Sequence, residues 1–195
     1  MVPFVMAGFM ISGGMRLVVI VVDMQNDFVM PEGRLVVPDA LATVPAMRAL
    51  LGRARAAGVH VAYTQDTHVE GDREWTIWPE HCRQGTWGWQ IVDALAPLPH
   101  DLVVQKCRYD GFYDTALDHY LSRVWGVKHL VIIGTIASIC VLHTAGSAGL
   151  RWFHVVTPAD SVSALNDFDK ALALRQISWL YAGQVVRSGE DVIFV

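Results

Sequence analysis

Leu130-Val131-Ile132-Ile133-Gly134-Thr135-Ile136-Ala137-Ser138-Ile139-Cys140-Val141 reads as a strand, a turn and a helix start. Leu130–Ile133 is a buried strand and Gly134–Ser138 a sharp turn. Cys140 then opens a helix that runs on through Ala148. Such a unit sets the first helical residue at the carboxyl edge of a parallel sheet. The helix start offers free N–H groups and a partial positive charge there. A thiolate at that place is stabilised and becomes a usable nucleophile near neutral pH. Taken alone, the same cysteine reads equally well as a small core residue.

The flanking chain repeats the pattern. Arg16–Val22 is a β-branched run with no polar alternation, the mark of a central parallel strand, and it empties into Asp23. Helical spacing over 39–57 is followed by a strand over 59–64 that leads into Gln65, Asp66, Thr67 and His68. Leu102–Gln105 is a third strand, followed at once by Lys106. Helices are expected over 91–95, 112–125 and 168–181, and further strands over 153–157 and 192–195. Alternating strands and helices argue for βαβ units and a mostly parallel sheet. Residues 69–90 form a long acidic, tryptophan-rich loop, of the kind that carries function.

The 195 residues fit one domain with a large core. Charged residues make up only 17 % and apolar ones 53 %, which suits a sheet covered on both faces and some surface covered by another subunit. Net charge is −4 without a basic run, so nothing favours nucleic acid or an anionic membrane. Three widely spaced cysteines fit a reducing cytoplasm rather than a disulfide framework. Residues 1–14 read as an apolar extension or loose arm, with Met15 as the natural start and 15–195 as the single domain.

Three strands thus end in Asp23, Lys106 and Cys140. In a parallel sheet they share one edge. A carboxylate can take the thiol proton and return it to a leaving amine, and an ammonium lowers the cost of both anions. Asp66 and His68 reach the same edge, with His81 returning from the loop. Asp-x-His with a later His is a mixed oxygen–nitrogen set for zinc, iron or manganese, though as a bare pattern it also arises by chance.

At this point the chain resembles the isochorismatase-like cysteine hydrolases, and within them the nicotinamidase branch. The motifs are Val22–Phe28; Asp66-Thr67-His68 with Trp78-Pro79-Glu80-His81-Cys82; Lys106–Phe112; and Gly134–Val141 with Thr144 and Ala145. The resemblance implies a three-layer α/β/α fold with a six-stranded, mostly parallel, Rossmann-like sheet. It implies Cys140 as nucleophile, Asp23 as proton shuttle and Lys106 as charge partner. It implies a cis bond between Thr135 and Ile136, and an oxyanion hole from the Ile136 and Cys140 N–H groups. Asp66, His68 and His81 match metal ligands, and Phe28, Trp78 and Tyr113 fall where aromatics flank a pyridine ring. Some nicotinamidases carry another histidine between the two histidine ligands; residues 69–80 here hold only Glu70, Asp72, Glu74 and Glu80 as ionisable acids. Many members have an aspartate in the nucleophile turn where this chain has Ala137-Ser138.

The expected activity is therefore C–N hydrolysis of a small carboxamide through a thioester, nicotinamide to nicotinate and ammonia, by a cytoplasmic homo-oligomer. The alternatives are another family hydrolase (an N-carbamoyl compound, biuret, maleamate or a streptothricin lactam), an isochorismatase, or a non-catalytic small-molecule-binding protein on the same fold.

Overall fold

The structure, a computed structural model, describes residues 9–11 and 16–194. Its strands are β1 (Phe9–Ile11), β2 (Leu17–Val22), β3 (His60–Asp66), β4 (Leu102–Lys106), β5 (His129–Thr135), β6 (His154–Pro158), β7 (Val162–Ser163), β8 (Gln184–Val186) and β9 (Val192–Phe194). Its α-helices are α1 (Asn26–Val29), α2 (Ala40–Ala56), α3 (Leu117–His119), α4 (Leu142–Leu150) and α5 (Asp167–Trp179). The main sheet runs β4-β3-β2-β5-β6-β8, with β7 added beside β5, and every pairing in it is parallel. Helix α2 packs on β3 and β5, and α4 and α5 on β6 and β8, which gives the expected α/β/α layers.

The β-branched run of β2 is buried along its whole length because strands flank it on both sides and helices cover it. From β2 the chain lays strands outward to β3 and β4. It then returns to the other side of β2 and proceeds from β5 to β6 and β8. The order reverses between β2 and β5, and the crevice at the carboxyl ends of such a pair is where open α/β sheets hold ligands. Asp23 and the turn before Cys140 stand at that crevice.

Several local expectations change. Strand β5 extends through Thr135, so Gly134 lies in the strand rather than in the turn. Only glycine fits there: φ is +127°, and a Cβ would lie 2.1 Å from the Val22 carbonyl oxygen. Cys140 does not open the helix. It is the fourth residue of a wide, π-type turn (Ala137–Val141) that leads into α4. The helix expected over 112–125 shrinks to α3 and a π-type turn, Tyr120–Val124. Side chains capture the backbone before it: Asp110 accepts the Phe112 N–H, and the Thr115 hydroxyl donates to the Gly111 carbonyl. Ile91–Leu95 reduces to a 3-10 turn, Asp93–Leu95.

Strands β7 and β8 lie in stretches for which the sequence predicts no element. The C-terminal strand β9 pairs with β1 in a separate two-stranded parallel sheet. Of the proposed extension 1–14, Phe9–Ile11 form β1; residues 1–8 and 12–14 lie outside the described residues. Among the described residues no helix is long and apolar enough to cross a membrane.

Candidate active site

Asp23 follows β2 with φ +50°, a left-handed conformation that aspartate tolerates better than most residues. Lys106 closes the edge strand β4. Residues alternate there, so Val104 and Lys106 face inward while Val103 and Gln105 face solvent. Cys140 comes from the turn after β5. All three side chains are buried. The Lys106 Nζ is 2.7 Å from Asp23 Oδ2, 3.0 Å from Asp66 Oδ1 and 3.7 Å from Cys140 Sγ. The Thr64 hydroxyl donates to Asp23 Oδ1 at 2.7 Å. Asp23 Oδ2 is held by the Lys106 ammonium, while Oδ1 takes the Thr64 hydroxyl.

The charges set the resting state. Burial pushes the Asp23 carboxyl above its ordinary value; Lys106 opposes the rise without cancelling it. Burial also pushes the Cys140 thiol well up, with Lys106 opposing and Asp23 and Asp66 adding to the rise. Burial alone would lower Lys106, but Asp23 and Asp66 outweigh it and hold the ammonium well above its usual range. The cysteine therefore rests as a thiol beside a carboxylate of raised proton affinity. That differs from the stabilised thiolate expected at a helix start, because Cys140 is desolvated and lies inside the π-type turn rather than at a helix N-terminus.

Asp66 joins this centre to a second cluster. The carboxylate of Asp66, both imidazoles of His68 and His81, and the Glu74 carboxylate place one ligand atom each within 4.8 Å of one another, all on buried residues. His68 Nδ1 pairs with Asp72 at 2.9 Å and His81 Nδ1 donates to the Pro79 carbonyl at 2.7 Å. Both Nε2 atoms are thereby turned to Asp66 Oδ2, at 3.0 and 3.4 Å. Outer hydrogen bonds that fix the far ring nitrogen are what a metal-binding histidine requires. Burial disfavours the His68 imidazolium, but Asp66, Asp72 and Glu74 outweigh burial and raise it to about 9. Burial would raise the Asp66 carboxyl, but Lys106, with His68 and His81 beside it, overcomes burial and holds Asp66 well below the usual carboxylate range. Two imidazoles and two carboxylates fit a divalent ion such as zinc, iron or manganese.

Glu74 is the ligand-type residue the sequence motifs leave out. It lies on a short 3-10 turn (Arg73–Thr76) whose N-terminal cap is Asp72, inside an otherwise irregular loop. Gln25 was also silent in the sequence. Its amide accepts the Asp66 N–H at 2.7 Å and donates to the Asp66 and Trp89 carbonyls, both at 2.8 Å. Asp27 accepts the Cys82 N–H at 2.7 Å and the Arg34 N–H at 3.1 Å, and Asn26 donates to the Trp87 carbonyl.

The three aromatic candidates separate. Phe28 is buried with its ring 5.5 Å from that of His81. Trp78 is half-buried, and its indole N–H donates to the Tyr109 hydroxyl at 3.0 Å. Tyr113 stands at the surface, 58 % exposed. Ile136 is buried four residues before Cys140, its peptide bond to Thr135 is cis, and its carbonyl accepts the Ile139 and Val141 N–H groups. Cys82, Cys107 and Cys140 are free thiols.

Fold and site define a parallel α/β protein with a buried thiol–carboxylate–ammonium centre next to a four-residue metal-type cluster. The chain belongs to the isochorismatase family: the Isochorismatase domain matches residues 17–191. It is 32 % identical over 154 residues to ureidoacrylate amidohydrolase RutB of Caulobacter segnis, covering 65 % of this chain and 63 % of that protein. The chain thus spans a little under two thirds of that relative's length. Among solved structures, N-carbamoylsarcosine amidase from Thermoplasma acidophilum superposes with a TM-score of 0.80 at 36 % identity, covering 89 % of this chain and 96 % of the other. Pyrazinamidase of Pyrococcus horikoshii in complex with zinc gives a TM-score of 0.82 at 30 % identity, with 88 % and 98 % covered. The nicotinamidase PncA from Bacillus subtilis gives 0.81 at 26 % identity, with 89 % and 100 % covered.

Proposed function

We propose that this chain is an amidohydrolase that cleaves a small terminal carboxamide through a thioester on Cys140. The observation that carries the reading is the buried contact of Asp23, Lys106 and Cys140, a thiol whose nearest base has its proton affinity raised by burial. As Cys140 Sγ attacks the carboxamide carbon, its proton passes to Asp23. The Ile136 and Cys140 N–H groups receive the oxyanion. Asp23 then delivers the proton to the departing nitrogen, and ammonia leaves. A water gives its proton to Asp23 and attacks the thioester; the acid product departs and the proton returns to the sulfur. Lys106 stays cationic throughout and balances the charge that moves between Asp23 and the sulfur.

A divalent ion held by Asp66, His68, Glu74 and His81 would supply positive charge against a lone pair of the substrate. The chain's own contribution there is orientation, through Asp72 and Pro79 on the imidazoles and Gln25 on the Asp66 backbone.

Nicotinamide is the substrate favoured by this cluster together with the aromatic pair Trp78–Tyr109 and the Phe28 ring, and by the nicotinamidase and zinc-bound pyrazinamidase neighbours. A second reading, an ureido compound, is favoured by the relatives named for ureidoacrylate and N-carbamoylsarcosine. Its terminal –CO–NH2 presents the same kind of carbonyl to Cys140. Ammonia release from nicotinamide, ureidoacrylate and N-carbamoylsarcosine separates the two. Cys140→Ala and Asp23→Asn should each abolish release from whichever substrate turns over. Full turnover by Cys140→Ala would end the thioester mechanism.

A further inference from the structure

Helix α5 is apolar on two opposite sides. Ala173, Leu174 and Ile177 are buried, on the side that packs on α4, β8 and the nucleophile turn. On the far side Phe168, Leu172, Arg175 and Trp179 recur at helical spacing, and the three apolar ones are 75 %, 39 % and 67 % exposed. A surface helix of a monomer ordinarily carries polar residues on that side. The C-terminal end of α4 meets the chain just past α5, where a Cβ on Gly149 would lie 2.9 Å from Tyr181. Leu150 and Trp152, which follow Gly149 in the chain, are 75 % and 87 % exposed.

We propose that this face is covered by a second copy of the chain, α5 lying antiparallel on its twofold mate. Area is the first argument. A whole aromatic side chain presents 150–250 Å², so Phe168, Trp152 and Trp179 expose on the order of 500 Å² per protomer. With the leucines this approaches the roughly 800 Å² per partner of a stable interface, and a single surface patch of this size is seldom left bare. Self-complementarity is the second. Antiparallel packing about the helix midpoint sets Phe168 against the partner's Trp179 and Leu172 against the partner's Arg175, as an isologous contact requires. The Arg175 guanidinium already lies over its own Trp179 ring, 5.3 Å from the centroid. Its charge can stay at the rim while its stem is covered. The interface would back the Ala137–Val141 turn, on which α5 packs.

Sedimentation equilibrium of the full chain tests this. The chain should sediment at twice its 21.6 kDa. Trp179→Glu and Leu172→Lys, each checked for native circular dichroism, should raise the dimer dissociation constant at least about 30-fold, the effect of losing an interface hot spot. Two variants keep the test open should one fail to fold. Ile77→Glu, at a residue 69 % exposed in the loop after β3, should leave association unchanged. A chain that stays monomeric at 100 µM overturns the proposal, as does a dimer indifferent to both α5 variants.

Discussion

Replacing Lys106 by Met isolates what the buried ammonium does. The side chains are similar in length and volume, so packing is nearly kept and the change is electrostatic. Lys106 is fully buried and within 3.0 Å of both Asp23 and Asp66. Its removal leaves two buried carboxylates without their shared counterion. Breaking a buried pair in this way costs about 3–5 kcal/mol. At a typical slope this moves the urea midpoint down by about 2 M. The pH dependence has a definite sign. Asp23 already binds its proton more tightly folded than unfolded, so its contribution to stability is fully present below its unfolded value and lost as pH rises through the folded one. Without Lys106 that folded value climbs further. The variant's deficit should therefore be largest at neutral pH and shrink toward pH 5. Urea titrations of the ion-stripped protein at pH 5 and 7.5, with ammonia release measured in parallel, read both effects. Asp23 would rest protonated in the variant and turnover should fall by about 10²–10⁴, the usual weight of a general base. A variant as stable as the parent at pH 7.5, or a deficit that does not change with pH, would refute the electrostatic account.

Gly134→Ala should leave little soluble protein, because the new methyl meets the Val22 carbonyl at 2.1 Å at a φ that alanine avoids; expression and thermal melting report it. Glu74→Gln should weaken zinc binding by about 10–100-fold in a competition titration while circular dichroism is unchanged, and undiminished affinity would remove Glu74 from the ligand set. Tyr63 gives an alkaline limb. Burial pushes its phenol up to about 12 against the opposing Arg55, so the unfolded chain loses this proton first. Stability should fall between pH 10 and 12 by up to about 1.4 kcal/mol per pH unit, and Tyr63→Phe should lack that component.

The sheet and the shared edge of Asp23, Lys106 and Cys140 were legible because their signals are local. Leu17–Val22 and Leu130–Ile133 are apolar runs that only a doubly covered strand explains, and reactive residues directly after them fall on one edge. Strands β7 and β8 were not, since two or three residues carry no periodicity and their pairing is decided by β5 and β6. The helix over 112–125 misled because its apolar spacing is real, while Asp110 and Thr115 capture the backbone ahead of it. At the site, Asp66, His68 and His81 were readable as spaced ligand types. Glu74 was one acid among four in an irregular loop, and only folding selects it. Thr64 and Gln25 act through contacts 41 residues distant in sequence, which no local pattern encodes.

The segment just after β2 fastens both ends of the 66–90 loop. Gln25 grips the backbone of Asp66, Asp27 that of Cys82, and Asn26 that of Trp87. Gly88 is pressed so close to Asp27 that a Cβ would fall 2.2 Å from the carboxylate. The loop is thus a strap buckled at both ends, and its middle carries Asp72, Glu74 and Pro79 to the two histidines as one piece.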